Sequence, residues 1–474
     1  MRTDRLPTSF VTVAALLAAL AACSNAPPQA AAPAAATVAA PAPAPARPAP
    51  AAATARTSPA AAPAPATPLA RAAAPPPAAA PVATAAPAAP APTAAPAPRP
   101  TASGELVAPD PVKFEDSIAR AARTLFTEAQ AQLGQETRLL VVDPLIDANT
   151  GGQTVSTAKM GTQLESVVKT SFRSWAVTPL TRNTLATKPL LLIGTLTPVN
   201  IERSIDKTPD AYRVWLTLID LRTGKVVAKA LDRATVDSVN AEPLPFYRDS
   251  PTWHKDNTIL GYINSCQVNT RIGDQADPGY LARLPAAAVL NEAILAYDEG
   301  RIPVAHKLYK EAEPIAEPGD LRVLNGLYLT SWQLGQREAA RDAFGKLVSS
   351  GLELKRLPVK LLFQPGRTTF NQVGDLPQQY QLWISSLAQQ AGKADTCVRI
   401  VGHTSRTGSA RANETLSRQR AEAVQRLLEQ NNRALGARLS AAGAGSREAL
   451  VGLGTDDLRD ALDRRVEFRV VDCV

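Results

Sequence analysis

From Phe114 to Leu133 the apolar positions recur with helical spacing, and Phe114, Ile118, Leu125 and Phe126 fall on or near one stripe. That pattern predicts an amphipathic helix. Arg138 to Ile146, RLLVVDPLI, reads as one buried strand. A second amphipathic helix is predicted over Met160 to Phe172, and Leu190 to Thr197, LLLIGTLT, reads as another strand. Tyr212 to Asp220, YRVWLTLID, alternates along its length. Leu221, Arg222, Thr223 and Gly224 then make a turn, and Lys225 to Ala230 runs back. Glycine in the turn supplies the positive φ that a hairpin needs. The order helix, strand, helix, strand, hairpin implies an α/β layer domain over residues 104–270.

After Leu281 the pattern becomes wholly helical. Tyr297, Gly300, Ala305, Tyr309 and Ala312 form one set, and Leu327, Trp332, Gly335, Ala340, Phe344 and Leu347 form a second. Gly300 and Gly335 stand 35 residues apart, as do Ala305 and Ala340. In each set a small alanine lets paired helices approach, an aromatic ring fills the gap, and glycine ends the first helix. The spacing resembles two tetratricopeptide-type hairpins over residues 281–352. So short a stack needs flanking domains to cap it.

From Leu357 the prediction is strand Val359–Phe363, helix Leu376–Gln390, strand Val398–His403, helix Asn413–Gln430, short strand Ala441–Gly445 and final strand Arg465–Val471. With Asn413 as origin and a step of about 100° per residue, Leu416, Ala421, Ala423, Val424, Leu427 and Leu428 all lie within about 80° of it. Arg420 falls in the middle of that apolar stripe, where a guanidinium needs a partner or a groove. The expected fold class is therefore multidomain: α/β, then an α-helical repeat, then a βαβαββ domain over residues 356–474.

The N-terminal text changes the picture of compartment. Arg2 and Arg5 precede an apolar run from Phe10 to Leu20, too short to span a bilayer but suited to a cleaved signal. Leu20, Ala21, Ala22 and Cys23 resemble the lipobox of bacterial lipoproteins. That resemblance implies removal of residues 1–22 and acylation of Cys23, with two or three chains giving stable anchoring. Ser24, rather than aspartate, implies sorting to the outer membrane. The alternative is an ordinary signal cleaved after Ala22. Residues 24–103 are almost wholly alanine and proline with Thr and Ser; they carry Arg47, Arg56, Arg71 and Arg99 and no acidic residue. Nothing large is available to bury, so a long disordered linker is expected. In polyproline II form, at about 3.1 Å per residue, it could reach at most about 250 Å.

The formal charge is +8. No basic cluster with interleaved aromatics accompanies it, so nucleic acid is not an expected partner. A mildly basic face suits anionic cell-wall polymers better. Of four cysteines, Cys23 would be lipidated, leaving Cys266, Cys397 and Cys473, which cannot all pair within one chain. An exported protein can form disulfides. If the strand after Cys397 and the last strand are antiparallel neighbours, Cys397 and Cys473 coincide and form the disulfide, leaving Cys266 unpaired.

The sequence GHTSRTGSARANETLSRQRAEAV at 402–424, followed by RRVEF at 464–468, resembles an OmpA-like domain across residues 356–474. The resemblance implies non-covalent binding of the peptidoglycan stem peptide, in Gram-negative bacteria through its diaminopimelate residue. It implies Thr404, Ser405, Arg406, Asn413, Arg420 and Arg464 as ligand residues. The planar fork of Arg420 would take a carboxylate with two parallel hydrogen bonds. Many members carry an aspartate directly after GHT, which pairs with the ligand's amino group; this chain has Ser405. Loss of that charge is expected to cost about 1–2 kcal/mol. With Arg406 beside it, the groove is expected to favour an anion over a zwitterion. Further upstream, VVDPLID at 141–147 and LIDLRTGKVVAKA at 218–230 resemble periplasmic lipoprotein domains of flagellar outer-membrane assembly, curli secretion and penicillin-binding-protein activation. Those domains bind proteins or assemble.

Other chemistry finds little support. His254, His306 and His403 are far apart, and no CxxC, HExxH, phosphate-binding glycine loop or GxSxG elbow occurs. No catalytic residue, metal or cofactor is expected, and Asp249, Trp253 and His254 in PFYRDSPTWHKD read as packing and turn residues. The leading expectation is a lipid-anchored tether or adaptor in the outer membrane, facing the periplasm. Its partners would be peptidoglycan and a protein at the repeat and middle domains. An assembly or regulatory lipoprotein acting through protein partners, and a cell-wall-modifying enzyme, are the alternatives.

Overall fold

The computed structural model describes residues 108–473 apart from 135, 201, 203–206, 268 and 395. The signal, Cys23 and the Ala/Pro stretch lie outside the described residues. Helix α1 (Phe114–Leu133) buries Phe114, Ile118, Ala121, Leu125, Phe126 and Ala129, the stripe expected from its periodicity. Glu115 and Asp116 occupy its first turn, where the helix dipole favours carboxylates. It packs on a sheet ordered β3 (Trp175–Thr178), β1 (Arg138–Val142), β4 (Leu190–Val199), β5 (Ala211–Asp220), β6 (Lys225–Thr235), with β2 (Ile146–Asp147) paired to β4. β1 runs parallel to β3 and β4, whereas β4, β5 and β6 form an antiparallel meander. Gly224 turns the β5–β6 hairpin with φ 72°.

Three local expectations are corrected. RLLVVDPLI is two strands, because Pro144 has no N–H to give to the ladder, which ends with the Asp143 N–H donating to the Leu192 carbonyl of β4. The buried Asp143 carboxylate accepts from Tyr280 Oη at 2.6 Å and Asn291 Nδ2 at 3.1 Å. Helix α2 (Val155–Ser171) starts before its apolar periodicity does, at a reciprocal capping box between Thr154 and Thr157. β6 continues past Ala230 through the buried Asp232, whose carboxylate accepts from Ser117 Oγ at 3.0 Å and Arg120 Nε at 2.6 Å. β3 is too short to announce itself by alternation; Trp175 anchors it against Phe126 and Phe172. The short α3 (Arg182–Ala186) follows.

Helices α4 (Pro245–Asp249), α5 (Asn257–Cys266) and α6 (Pro278–Ala282) lead into α7 (Leu284–Asp298), α8 (Ile302–Ala312), α9 (Leu321–Gln333) and α10 (Arg337–Glu353). α7 packs on α8, α8 on α9 and α9 on α10. No helix among the described residues is long and apolar enough to cross a membrane.

The chain ends with β7 (Lys360–Leu362), α11 (Leu376–Lys393), β8 (Cys397–Gly402), α12 (Ala410–Asn431), β9 (Leu439–Gly443) and β10 (Arg465–Val471). Their sheet has the order β7-β10-β8-β9, with β10 antiparallel to both neighbours and β8 parallel to β9. Val471 lies opposite Cys397, which brings Cys473 within reach: the two cysteines are joined by a disulfide with Cα atoms 5.1 Å apart. Cys266 is free and buried.

This last layer does not stand apart. Its Trp383 packs against Tyr328 and Phe344 of the helical hairpins. Thr252 bridges Val359, Trp253 N–H donates to the Pro358 carbonyl, and Lys360 N–H donates to the Pro251 carbonyl. Lys360 Nζ, buried, donates to the carbonyls of Ser250 and Thr252 and lies 4.9 Å from the Trp253 ring centre; burial pushes its ammonium down to about 7. His254 is enclosed by Phe246 and Tyr247. Val451 and Leu462 belong to the same buried cluster as Phe114 and Leu216, so the 450–463 segment closes the core of the first layer.

Candidate functional site

The candidate loops are held by the seat of α12. A Cβ at Gly402 would lie 1.9 Å from the Ser417 carbonyl oxygen, and one at Gly443 would lie 2.8 Å from that of Glu414. Only glycine lets the helix rest directly on the ends of β8 and β9. Asn413, Ser417 and Arg420 are thereby turned into the loops at one end of the strands. Asn413 Nδ2 donates to the carbonyls of Thr407 at 2.9 Å and Ser405 at 3.3 Å, fixing the 403–409 loop. Ser417 Oγ accepts from Gly445 N–H at 3.0 Å and fixes the loop after β9.

Arg420 is fully buried. Its Nε, Nη1 and Nη2 donate to the carbonyls of Arg367, His403 and Gln364 at 2.9, 2.8 and 2.9 Å. The guanidinium lies 5.2 Å from the Phe363 ring centre. Burial, with the nearby Arg464 charge adding to it, pulls the group down to about 10. The open fork expected to meet a carboxylate is buried in this structure, with three of its five N–H groups engaged by backbone carbonyls. It bolts the 364–367 turn to the 403–409 loop, because a buried guanidinium needs acceptors and three stranded carbonyls need donors.

A second device escaped sequence reasoning. The loop 450–456 wraps around two buried carboxylates. Asp463 accepts from the N–H groups of Leu450, Val451 and Gly452 at 2.6, 3.1 and 2.7 Å. Asp460 accepts from those of Leu453, Thr455 and Asp456 at 3.2, 2.6 and 3.3 Å. The legible trace was the acidic spacing at 456, 457, 460 and 463 just before Arg464 and Arg465. Asp463→Asn replaces one acceptor oxygen by a donor and leaves a buried N–H unpaired. It should cost about 2–3 kcal/mol and raise hydrogen exchange selectively at 450–452. Exchange at those amides equal to wild type would refute the role.

The loop so held presents Asp456 at φ 56°, a left-handed conformation rare for a residue with a Cβ. Its Oδ1 accepts from Ser405 Oγ at 2.5 Å and Arg464 Nη1 at 3.3 Å, and its Oδ2 accepts from Thr407 Oγ1 at 2.6 Å. Partial burial pushes its carboxyl up, but the two hydroxyls and Arg464 outweigh this and hold it below the ordinary 3.8. Ser405 therefore does not sit in a purely cationic groove, and the expected preference for an anion is corrected.

The structure thus joins Ser405, Asn413 and Arg464 around Asp456. Thr404 is buried beside them, its N–H donating to the Gly445 carbonyl. Arg406 lies against Gly452 and Gly454 of the 450–456 loop and lines a depression with Lys207, Pro209 and Leu450. Among the described residues no group of three or more His, Cys, Asp or Glu side chains is placed to hold a metal ion.

A two-helix layer on a mixed β7-β10-β8-β9 sheet, with its loops gathered at one end of the strands, defines an α/β binding module. The OmpA family model matches residues 362–461 of this chain. The C-terminal portion is accordingly an OmpA-like domain. Solved structures similar to it include the peptidoglycan-associated lipoprotein from Burkholderia pseudomallei, at 26% identity over 24% of this chain and 89% of that one, with a TM-score of 0.21. An outer-membrane protein from Borrelia burgdorferi B31 is 23% identical over 24% of this chain and 85% of that one, TM-score 0.19. The cell wall anchor of the T6SS from Pseudomonas aeruginosa is 25% identical over 24% and 76%, TM-score 0.19. No curated protein matches the chain.

Proposed function

We propose that this protein is an envelope lipoprotein that holds peptidoglycan non-covalently through its C-terminal domain and tethers it to the outer membrane. The observation that carries the reading is the OmpA-like domain itself: the matched residues 362–461 bring the GHTSRTG loop, Asn413 and Asp456 to one end of the strands beside Arg464. A carboxylate and a guanidinium side by side suit a peptide that carries both charges. The lipobox at Leu20–Cys23 supports the anchor, and the Ala/Pro run at 24–103 supports a spacer between anchor and wall. The α/β layer and helical hairpins would present surfaces to a protein partner.

Intact sacculi should sediment the full chain carrying Cys23→Ser, while the wild-type chain should also fractionate with membranes. Muropeptide profiles should stay unchanged on incubation. A soluble chain that ignores sacculi but captures an envelope protein would favour the assembly reading; altered muropeptides would favour an enzyme.

Sacculus binding should also be flat from about pH 8 to about pH 5 and fall only below about pH 4. Asp456 is depressed below its ordinary 3.8, so its charge is fully present above that value and is lost only as pH falls further, through its lower folded value. Binding that titrates near neutral pH would point to another group.

A further inference from the structure

Asp456 is held more firmly than a surface carboxylate needs to be. Its loop is pinned by six N–H bonds to Asp460 and Asp463, its backbone is left-handed, and two hydroxyls and one guanidinium orient its oxygens. Yet its side chain remains one-third exposed (34%). A carboxylate has about four acceptor positions. Ser405 and Arg464 take two at Oδ1 and Thr407 takes one at Oδ2, which leaves Oδ2 one to give. Arg464 is 6% exposed, and its Nε has no hydrogen-bond partner among the described residues. Thr404 Oγ1, in a residue 2% exposed, likewise has none. With Arg420 buried behind the loops, the local charge is one carboxylate against two guanidinium groups.

From these positions we infer that Asp456, reaching in from the 450–456 loop, is the carboxylate that receives an ammonium group of the ligand. Arg464 receives a carboxylate of the same amino-acid unit. The site is then built for a zwitterion. Its negative group comes from a different segment than the loop after β8, and Ser405 serves as a positioning residue that aims it. This assignment rests on the cell-wall reading above.

The arrangement makes a charge swap informative. Ser405→Asp sets a second carboxylate against Asp456 and repels it. Asp456→Ser removes the carboxylate that Ser405 and Arg464 hold. The double variant Ser405→Asp with Asp456→Ser restores one carboxylate facing one hydroxyl.

The test titrates the full chain carrying Cys23→Ser with two soluble stem peptides. One bears a free diaminopimelate amine and the other carries the same amine acetylated. Wild type should bind the free-amine peptide at least tenfold more tightly. Asp456→Asn, nearly isosteric, should abolish that discrimination; each single swap variant should weaken binding of the free-amine peptide, and the double variant should recover it. A folded Asp456→Asn chain that still discriminates tenfold overturns the assignment, as does a double variant no better than Asp456→Ser. Wild type that sediments with sacculi without discriminating overturns this proposal alone. Wild type that binds neither peptides nor sacculi overturns the cell-wall reading with it.

Discussion

Arg420→Ala should lower the stability of the protein by about 3–5 kcal/mol, read as a fall in the denaturation midpoint of the full chain. Three carbonyls from two loops lose their donor at once, and a cavity is left beside Phe363. Arg420→Lys should recover little, because one ammonium on a flexible stem cannot reproduce a planar fork spread over three acceptors. Any loss of wall binding should then track the loosening of the 364–367 and 403–409 loops. An Arg420→Ala chain of wild-type stability that no longer binds sacculi would overturn this account and make the guanidinium a ligand group.

Opening the Cys397–Cys473 disulfide should cost about 4 kcal/mol, since the crosslink closes a loop of 76 residues and constrains the unfolded chain. The double variant Cys397→Ser with Cys473→Ser reports it in chemical denaturation without a reductant. Cys266 will not interfere: it is buried, and burial pushes its thiol up to about 11. A difference under about 1 kcal/mol would mean that pairing of β10 with β7 and β8 already holds the C-terminal strand.

What the sequence made legible follows from period and motif. The stripe of α1 and the β5–β6 hairpin were readable because long, regular alternation has few competing interpretations. The GHT and NETLSRQRA runs located the candidate loops for the same reason. What escaped has a common cause, namely polar residues whose partners are distant in sequence. Asp143 breaks a strand to meet Tyr280 and Asn291, and Asp232 stays in a strand because Ser117 and Arg120 meet it. The helical wheel placed Arg420 inside correctly, but it could not show that carbonyls of Gln364 and Arg367 lie waiting there. Ser405 looked like a lost charge because Asp456 is 51 positions away and becomes its neighbour only through the fold.

The way the 450–463 segment closes the first core has a mechanical consequence. Val112, near the start of the described chain, bridges Ala234 on β6, and Ala234, Val451 and Leu462 share one buried cluster. Asn149 Nδ2 ties the same region by donating to the Leu450 carbonyl at 2.9 Å. Under the proposed tethering, a pull entering at Val112 would have a direct packed route from β6 to the 450–456 loop through that cluster.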